Sequence, residues 1–189
     1  MIEPHRIDYP KAALVTGAGK RIGRAIALGL AAEGWAVAVH YGASKSEADA
    51  VVAHIASRGG KAVALPADLT HEAQVTPLVA EAEAVLGPLG CLVNSASIFE
   101  NELALEVTRD SWDRHFAINL RAPFVLSQEF ARRLPENKHG CIVNILDERV
   151  WSPTPYFFSY TLSKSALWTM TQTLALALHE LTTNAVKYG

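Results

Sequence analysis

At 189 residues the chain has room for one domain, and with half of its residues apolar it can bury a sizeable core. Seventeen Lys and Arg against nineteen Asp and Glu leave a net charge of −2 with no block of like charge, which argues against nucleic acid or an anionic membrane as partner and for a small molecule. The opening MIEPHRIDYP lacks an apolar signal core and no run approaches a membrane span, so a cytoplasmic protein is expected.

Five short apolar runs mark out the chain: AALVT (12–16), AVAVH (36–40), AVALP (62–66), CLVN (91–94) and CIVNIL (141–146). Continuous β-branched runs without polar alternation fit strands covered on both faces. Helical periodicity lies between them, at 22–33, 46–58, 71–86 and 110–134, and a long helix follows the fifth run. The alternation predicts an α/β fold, a doubly wound parallel sheet in three α/β/α layers with right-handed crossovers. Cys91 and Cys141 each open an apolar run without metal-ligand spacing, so both are expected as buried reduced thiols and no metal site is predicted.

The first strand runs into Thr16-Gly17-Ala18-Gly19-Lys20-Arg21-Ile22-Gly23 and then a helix. Strand, glycines and helix in that order form a turn whose backbone N–H groups can approach the pyrophosphate of a dinucleotide, aided by the helix N-terminus. A nucleoside-triphosphate P-loop is excluded, because Gly19-Lys20 is followed by Arg21 and not Ser or Thr. The second strand ends without the carboxylate that would bond an NAD ribose; His40, Tyr41, Ser44 and Lys45 stand there instead. With Arg21 as a second cation they suit a 2′-phosphate, so NADPH is the expected cofactor, the alternative being a solvated loop.

After the third strand, Asp68 of Ala67-Asp68-Leu69 either accepts a bond from an adenine amine or caps the next helix. After the fourth, Asn94-Ser95-Ala96-Ser97-Ile98-Phe99 offers small residues where a cofactor would press on the backbone. Phe99 follows as a stacking surface for a planar substrate or as an ordinary core aromatic. Asn119 lies within a helical segment, an odd place for an amide without a partner. Asp147 follows the fifth run at the carboxyl end of its strand, where open α/β sheets bind ligands. Thirteen residues on, Tyr160 and Lys164 are spaced to share one helix face, where an ammonium would lower the phenol's pKa and fit it for proton transfer. Taken alone, this Tyr-x-x-x-Lys also reads as an ordinary helix surface.

The set TGAGKRIG (16–23), ADL (67–69), NSAS (94–97), INLRAPF (118–124) and YTLSK (160–164) resembles the short-chain dehydrogenase/reductase family, in family order and over roughly residues 11 to 178. The resemblance implies a Rossmann-like domain at 1–178. Its cofactor contacts would be Gly17, Lys20, Arg21, Ile22, Gly23, His40, Tyr41, Ser44, Asp68, Leu69, Ser95, Ala96, Tyr160 and Lys164. Arg21 stands where the family has a glycine, NSAS where it has NNAG, and Asp147 where it has the catalytic serine. These departures resemble pteridine and dihydromonapterin reductases. By that resemblance NADPH passes hydride to a C=N or C=O bond of a flat substrate such as a pterin, and Ser97, Phe99 and Asp147 contact it. Tyr160 is then the acid, Lys164 lowers its pKa and fixes the ribose, Asp147 assists, and Asn119 positions a water and the lysine.

Family members continue through further strands and a substrate loop, so the chain is expected to lack the last strands of the fold. The last eleven residues, 179–189, stand apart as a tail resembling the Asn-containing box of histidine kinases, or a helix running to a Gly end. A catalytically weak dinucleotide-binding protein, and a fragment carrying kinase sequence, are the competing readings. Homo-oligomer formation is expected through the helices at 110–134 and 156–180.

Overall fold

The computed structural model describes residues 9–188, with side chains described as far as residue 177. Five parallel strands form one sheet: β1 (Ala12–Val15), β2 (Ala36–Tyr41), β3 (Ala62–Pro66), β4 (Cys91–Asn94) and β5 (Cys141–Asn144), in the order β3-β2-β1-β4-β5. The chain moves outward from β1 to β3, then crosses back to lay β4 on the other side of β1. The strand order therefore reverses between β1 and β4, and a crevice opens there at the carboxyl ends.

Helices cover both faces. They are α1 (Arg21–Ala32), α2 (Lys45–Ser57), α3 (Glu72–Val75), α4 (Leu78–Leu86), α5 (Arg109–Phe116), α6 (Ala122–Arg133) and α7 (Phe158–Tyr188). Alternate strand residues point to opposite faces, so each run feeds two cores. Leu14, Ala38 and Leu92 join Leu78, Val79, Leu126 and Phe130 on one side, while Val15, Val37, Val39 and Val93 join Ala27, Val51 and Ile55 on the other. That is why the runs are continuously apolar.

Three expected elements differ. The helix at 71–86 is two, because Pro77 supplies no N–H to carry the first through, and it immediately precedes α4. The segment at 110–134 widens into a π-helical turn at Ala117–Arg121. Pro123 cannot donate to the carbonyl four residues back, that of Asn119, and its ring crowds that oxygen, so the α-helical ladder cannot run straight through. Finally, β5 stops at Asn144 and is only half covered, with Val143 38% exposed. It pairs with β4 alone among the described residues.

The cysteine expectation therefore holds for Cys91, which is buried, and fails for Cys141, which is exposed at the start of β5. They are register partners on adjacent strands, and burial, with Cys141 beside it, pushes the Cys91 thiol up to about 12. α7 continues through the segment read as a tail, whose side chains lie outside the described residues, as does Gly189. Among the described residues no helix is long and apolar enough to cross a membrane.

Candidate active site

The turn after β1 is built for close approach. Gly17 has a φ of 63°, and a Cβ on it would sit 2.9 Å from the Cα of Ala96 in the loop after β4. A Cβ on Gly23 would sit 2.4 Å from the Gly17 carbonyl oxygen. Arg21 keeps a left-handed φ of 49°. The backbone there retains the conformation that a glycine would adopt freely, at a cost of about 1–3 kcal/mol for a residue with a side chain. α1 starts with no side-chain cap and no acid in its first turn, so its positive end is available to an anion. Lys20 is exposed and paired with Glu47 at 2.6 Å, and Ile22 is 59% exposed.

His40 does not belong among the phosphate ligands. It is 2% exposed, and both ring nitrogens are taken: Gly17 N–H donates to Nδ1 at 3.1 Å, which leaves Nε2–H to donate to the Ala67 carbonyl at 3.1 Å. Burial lowers its pKa, against the Ala67 bond, so the neutral ring is a strut between the glycine turn and the end of β3. Tyr41 is buried in the core, Ser44 is partly exposed beside Gly19, and Lys45 pairs with Asp49 at 2.6 Å. Asp68 is not the cap of α3, which is His71. Its carboxylate instead accepts from Thr70 N–H at 2.9 Å and the Thr70 hydroxyl at 2.7 Å, and these bonds lower its pKa. Leu69 is buried in the core.

Beyond β4, the Thr16 hydroxyl oxygen accepts the N–H groups of Ser95 and Ala96, each at 3.0 Å, tying the first turn to this loop across the switch point. Asn119 is fully buried, and its amide is saturated. Its oxygen accepts from Ser97 Oγ (3.1 Å) and Ile98 N–H (3.0 Å), and its nitrogen donates to the Ile98 carbonyl (3.1 Å) and Ser163 Oγ (3.0 Å). The Asn119 side chain thus clamps the loop that carries Phe99 to α7, and its hydrogen bonds go to Ser97, Ile98 and Ser163 while Lys164 bonds to the Ile145 carbonyl.

Asp147, Tyr160 and Lys164 do converge. The Tyr160 hydroxyl donates to Asp147 Oδ2 at 2.9 Å, and the Lys164 ammonium donates to the Ile145 carbonyl at 2.8 Å. Burial, then the bond to Asp147 and its charge, push the Tyr160 phenol above its usual value, with Arg149 opposing. The expected lowering by Lys164 is absent, because its nitrogen lies 5.9 Å from the ring centre and points elsewhere. Burial brings Lys164 down to about 8, with Asp147 opposing. For Asp147 burial acts upward, but the Arg149 N–H, the Tyr160 hydroxyl and the Arg149 guanidinium together hold it below the usual carboxylate range. The arrangement is a protonated phenol held by an ionised carboxylate.

Three residues escaped the sequence reading. Arg149 donates to Asp147 at 3.1 Å from its guanidinium and 2.9 Å from its backbone. Glu102 anchors the start of α7, its carboxylate accepting Ser159 N–H at 2.8 Å and its carbonyl accepting Phe158 N–H at 3.3 Å. Phe157, with a φ of 60°, lays its ring parallel to Phe99 at 4.0 Å between centroids, and Phe99 meets the Tyr160 ring edge-on at 4.7 Å. Only Arg149 left a signal, a cation two residues after the carboxylate.

The model of the family described as short chain dehydrogenase matches residues 11–189. The chain belongs to the short chain dehydrogenase family. That match runs through residues 179–189, and nothing supports the kinase resemblance of the tail. A short-chain type dehydrogenase/reductase of Picea abies is 34% identical over 189 residues, covering 95% of this chain and 70% of the relative. The 3-oxoacyl-acyl-carrier-protein reductase FabG of Staphylococcus epidermidis is 34% identical over 181 residues, covering 95% and 74%. Among solved structures, FolM alternative dihydrofolate reductase 1 from Brucella canis, complexed with NADP, superposes with a TM-score of 0.85 at 45% identity, covering 88% of this chain and 68% of that one. A Burkholderia cenocepacia short chain dehydrogenase in complex with NADP gives 0.86 at 39%, covering 91% and 70%. As in those structures, this short chain dehydrogenase packs helices on both faces of a parallel sheet.

Proposed function

We propose that the chain is an NADPH-dependent reductase that sends hydride to a C=N or C=O bond of a small flat substrate, a pterin, with Tyr160 giving the proton. The observation that carries this is the bond from the Tyr160 hydroxyl to Asp147 beside the half-exposed ring of Phe99. The likeness to a Brucella protein named as a dihydrofolate reductase and complexed with NADP supports it. NADPH, when bound, supplies the hydride.

The chain's residues fit that cofactor. The uncapped start of α1 with Gly17, Lys20, Arg21, Ile22 and Gly23 would hold the pyrophosphate, and the missing Cβ at Gly17 and Gly23 lets this turn pack tightly against Ala96 and onto itself. Arg21, Ser44 and Lys45 would meet a 2′-phosphate, and Asp68 with the Leu69 backbone the adenine. Ser95 and Ala96 would line the path, and Tyr160 and Lys164 would hold the ribose. Asp147 orients the phenol and keeps it protonated until the substrate's developing charge draws the proton across. Ser97 and Phe99 border the substrate. A homo-oligomer through the helices at 110–134 and 156–180, tested by light scattering, and a cytoplasmic setting belong to the same reading.

NADPH oxidation by the purified chain with dihydrobiopterin or a quinonoid dihydropterin tests it. Turnover is expected in the wild type and lost in Tyr160→Phe, with NADPH still bound by both. Binding without turnover in both proteins would instead support a dinucleotide-binding protein.

A further inference from the structure

Phe157 stands immediately before α7 in a backbone conformation that a bulky side chain rarely adopts, with a φ of 60°. The conformation is held from its helix side. The Phe157 carbonyl accepts the Thr161 N–H at 2.9 Å, closing the first turn of α7, and the next two N–H groups, of Phe158 and Ser159, are both held by Glu102. Strain kept in place by three hydrogen bonds points to a use for the ring's position.

That position is against Phe99. The two rings are 7° from parallel with centroids 4.0 Å apart, and Arg149 Cζ lies 5.2 Å from one centroid and 5.0 Å from the other. The guanidinium therefore neighbours both rings. It also donates to Asp147. Phe99 is thus stacked on Phe157 and set T-shaped against Tyr160, yet it remains 49% exposed. That exposure leaves the residue open to a ligand.

We infer that Phe157 is a positioning and specificity-determining residue of the site: it backs Phe99 so that the exposed part of Phe99 is presented, beside Tyr160, to a flat heteroaromatic ring. The inference rests on the reductase reading above. Phe157 touches no reacting atom and acts through Phe99. A ring backed by a parallel ring loses little freedom when a third stacks on it, whereas an unbacked Phe99 must be ordered by the substrate itself. The contact should therefore favour flat unsaturated rings and leave the dinucleotide untouched.

The test uses the full chain loaded with NADPH, with 2,4-diaminopteridine as the flat probe, titrated by calorimetry. NADPH affinity is measured on each protein as a check of the fold. Phe157→Leu is expected to weaken the probe about tenfold, the size of one lost aromatic pair, with the NADPH dissociation constant unchanged. Phe157→Gly removes the ring and relieves the positive φ together, so it folds without strain, and it is expected to weaken the probe as much. Phe157→Tyr keeps a ring to stack and is expected to bind the probe as the wild type does. In turnover with a dihydropterin, the Leu and Gly variants should raise KM more than they lower kcat.

If Phe99→Leu loses the probe while Phe157→Leu and Phe157→Gly bind it as the wild type does, the inference is overturned and the reductase reading stands. If wild type and Phe99→Leu bind it equally weakly, the flat-substrate reading itself fails and the inference falls with it.

Discussion

The properties of single groups in the site follow from which neighbours have already claimed them. Tyr160 is held protonated by burial and by Asp147, so its part is to give a proton, not to take one first. Tyr160→Phe should lower kcat by about 10²–10⁴-fold, the usual contribution of a positioned general acid. Lys164 titrates at about 8 in the folded chain against an ordinary 10.5. Between those values the unfolded chain binds more protons than the folded one, so this group makes stability rise as pH climbs from about 8 to 10.5, and its contribution is level below 8 and above 10.5, where both states hold the same charge. Lys164→Met should lack that rise, a difference on the order of 3 kcal/mol across the window, read from urea midpoints of the two proteins measured in parallel. The pairing of Tyr160 with Lys164 was legible in the sequence, since four-residue spacing fixes a shared helix face whatever the fold. What the two groups do to each other was not, because the Lys164 ammonium is drawn to the Ile145 carbonyl, nineteen positions away. His40 was misread for a related reason. Its chemistry suits a phosphate, but only the folded chain shows that Gly17 and Ala67 have used both nitrogens.

Whole elements are steered by a few residues that local patterning undervalues. The segment at 110–134 has the periodicity of one helix, and the break at Ala117–Arg121 comes from Pro123 acting on the Asn119 carbonyl. Both residues are visible in the sequence, so the π-helical turn was legible in principle. Its consequence was not, since the four bonds of the Asn119 amide reach a loop and a helix at least 21 positions away. The start of α7 is governed from farther still. Glu102, 57 positions from Ser159, satisfies N–H groups that a local capping residue would normally take. Glu102→Ala should cost about 1 kcal/mol, the value of a lost helix cap, measured by urea unfolding. Glu102→Gln keeps the accepting oxygen and should recover most of it. An equal loss in both variants would place the stabilisation in the negative charge and not in the hydrogen bond.

For the molecule as a whole, the site is an assembly of the stretches that follow the five strands, brought to one end of the sheet by its topology. The alternation of apolar runs and helical segments predicted that topology, because parallel strands with crossovers leave few arrangements open. The periphery was less legible, since a run such as CIVNIL looks the same whether its strand is covered or at an edge. In the folded chain β5 is held inward by polar bonds: Asn94 donates to Asn144 at 2.8 Å, and Asn144 donates to Thr171 on α7 at 2.9 Å. Outward, Cys141 and Val143 are exposed, and a groove of about 660 Å³ lined by Phe130, Leu134, Ile142 and Leu174 opens beside the strand. Beyond its shortness, this parallel edge strand carries an exposed β-branched residue and no charge or proline within Cys141–Asn144 to discourage pairing with another chain. The 189-residue chain is therefore expected to self-associate through this edge as concentration rises. Val143→Lys should suppress that association by placing a charge on the edge strand, while leaving NADPH binding unchanged, since Val143 lies behind the carboxyl end where the site is built. Sedimentation velocity over a concentration series checks this, and association that persists undiminished in the variant would locate the contact on the helices and not on β5.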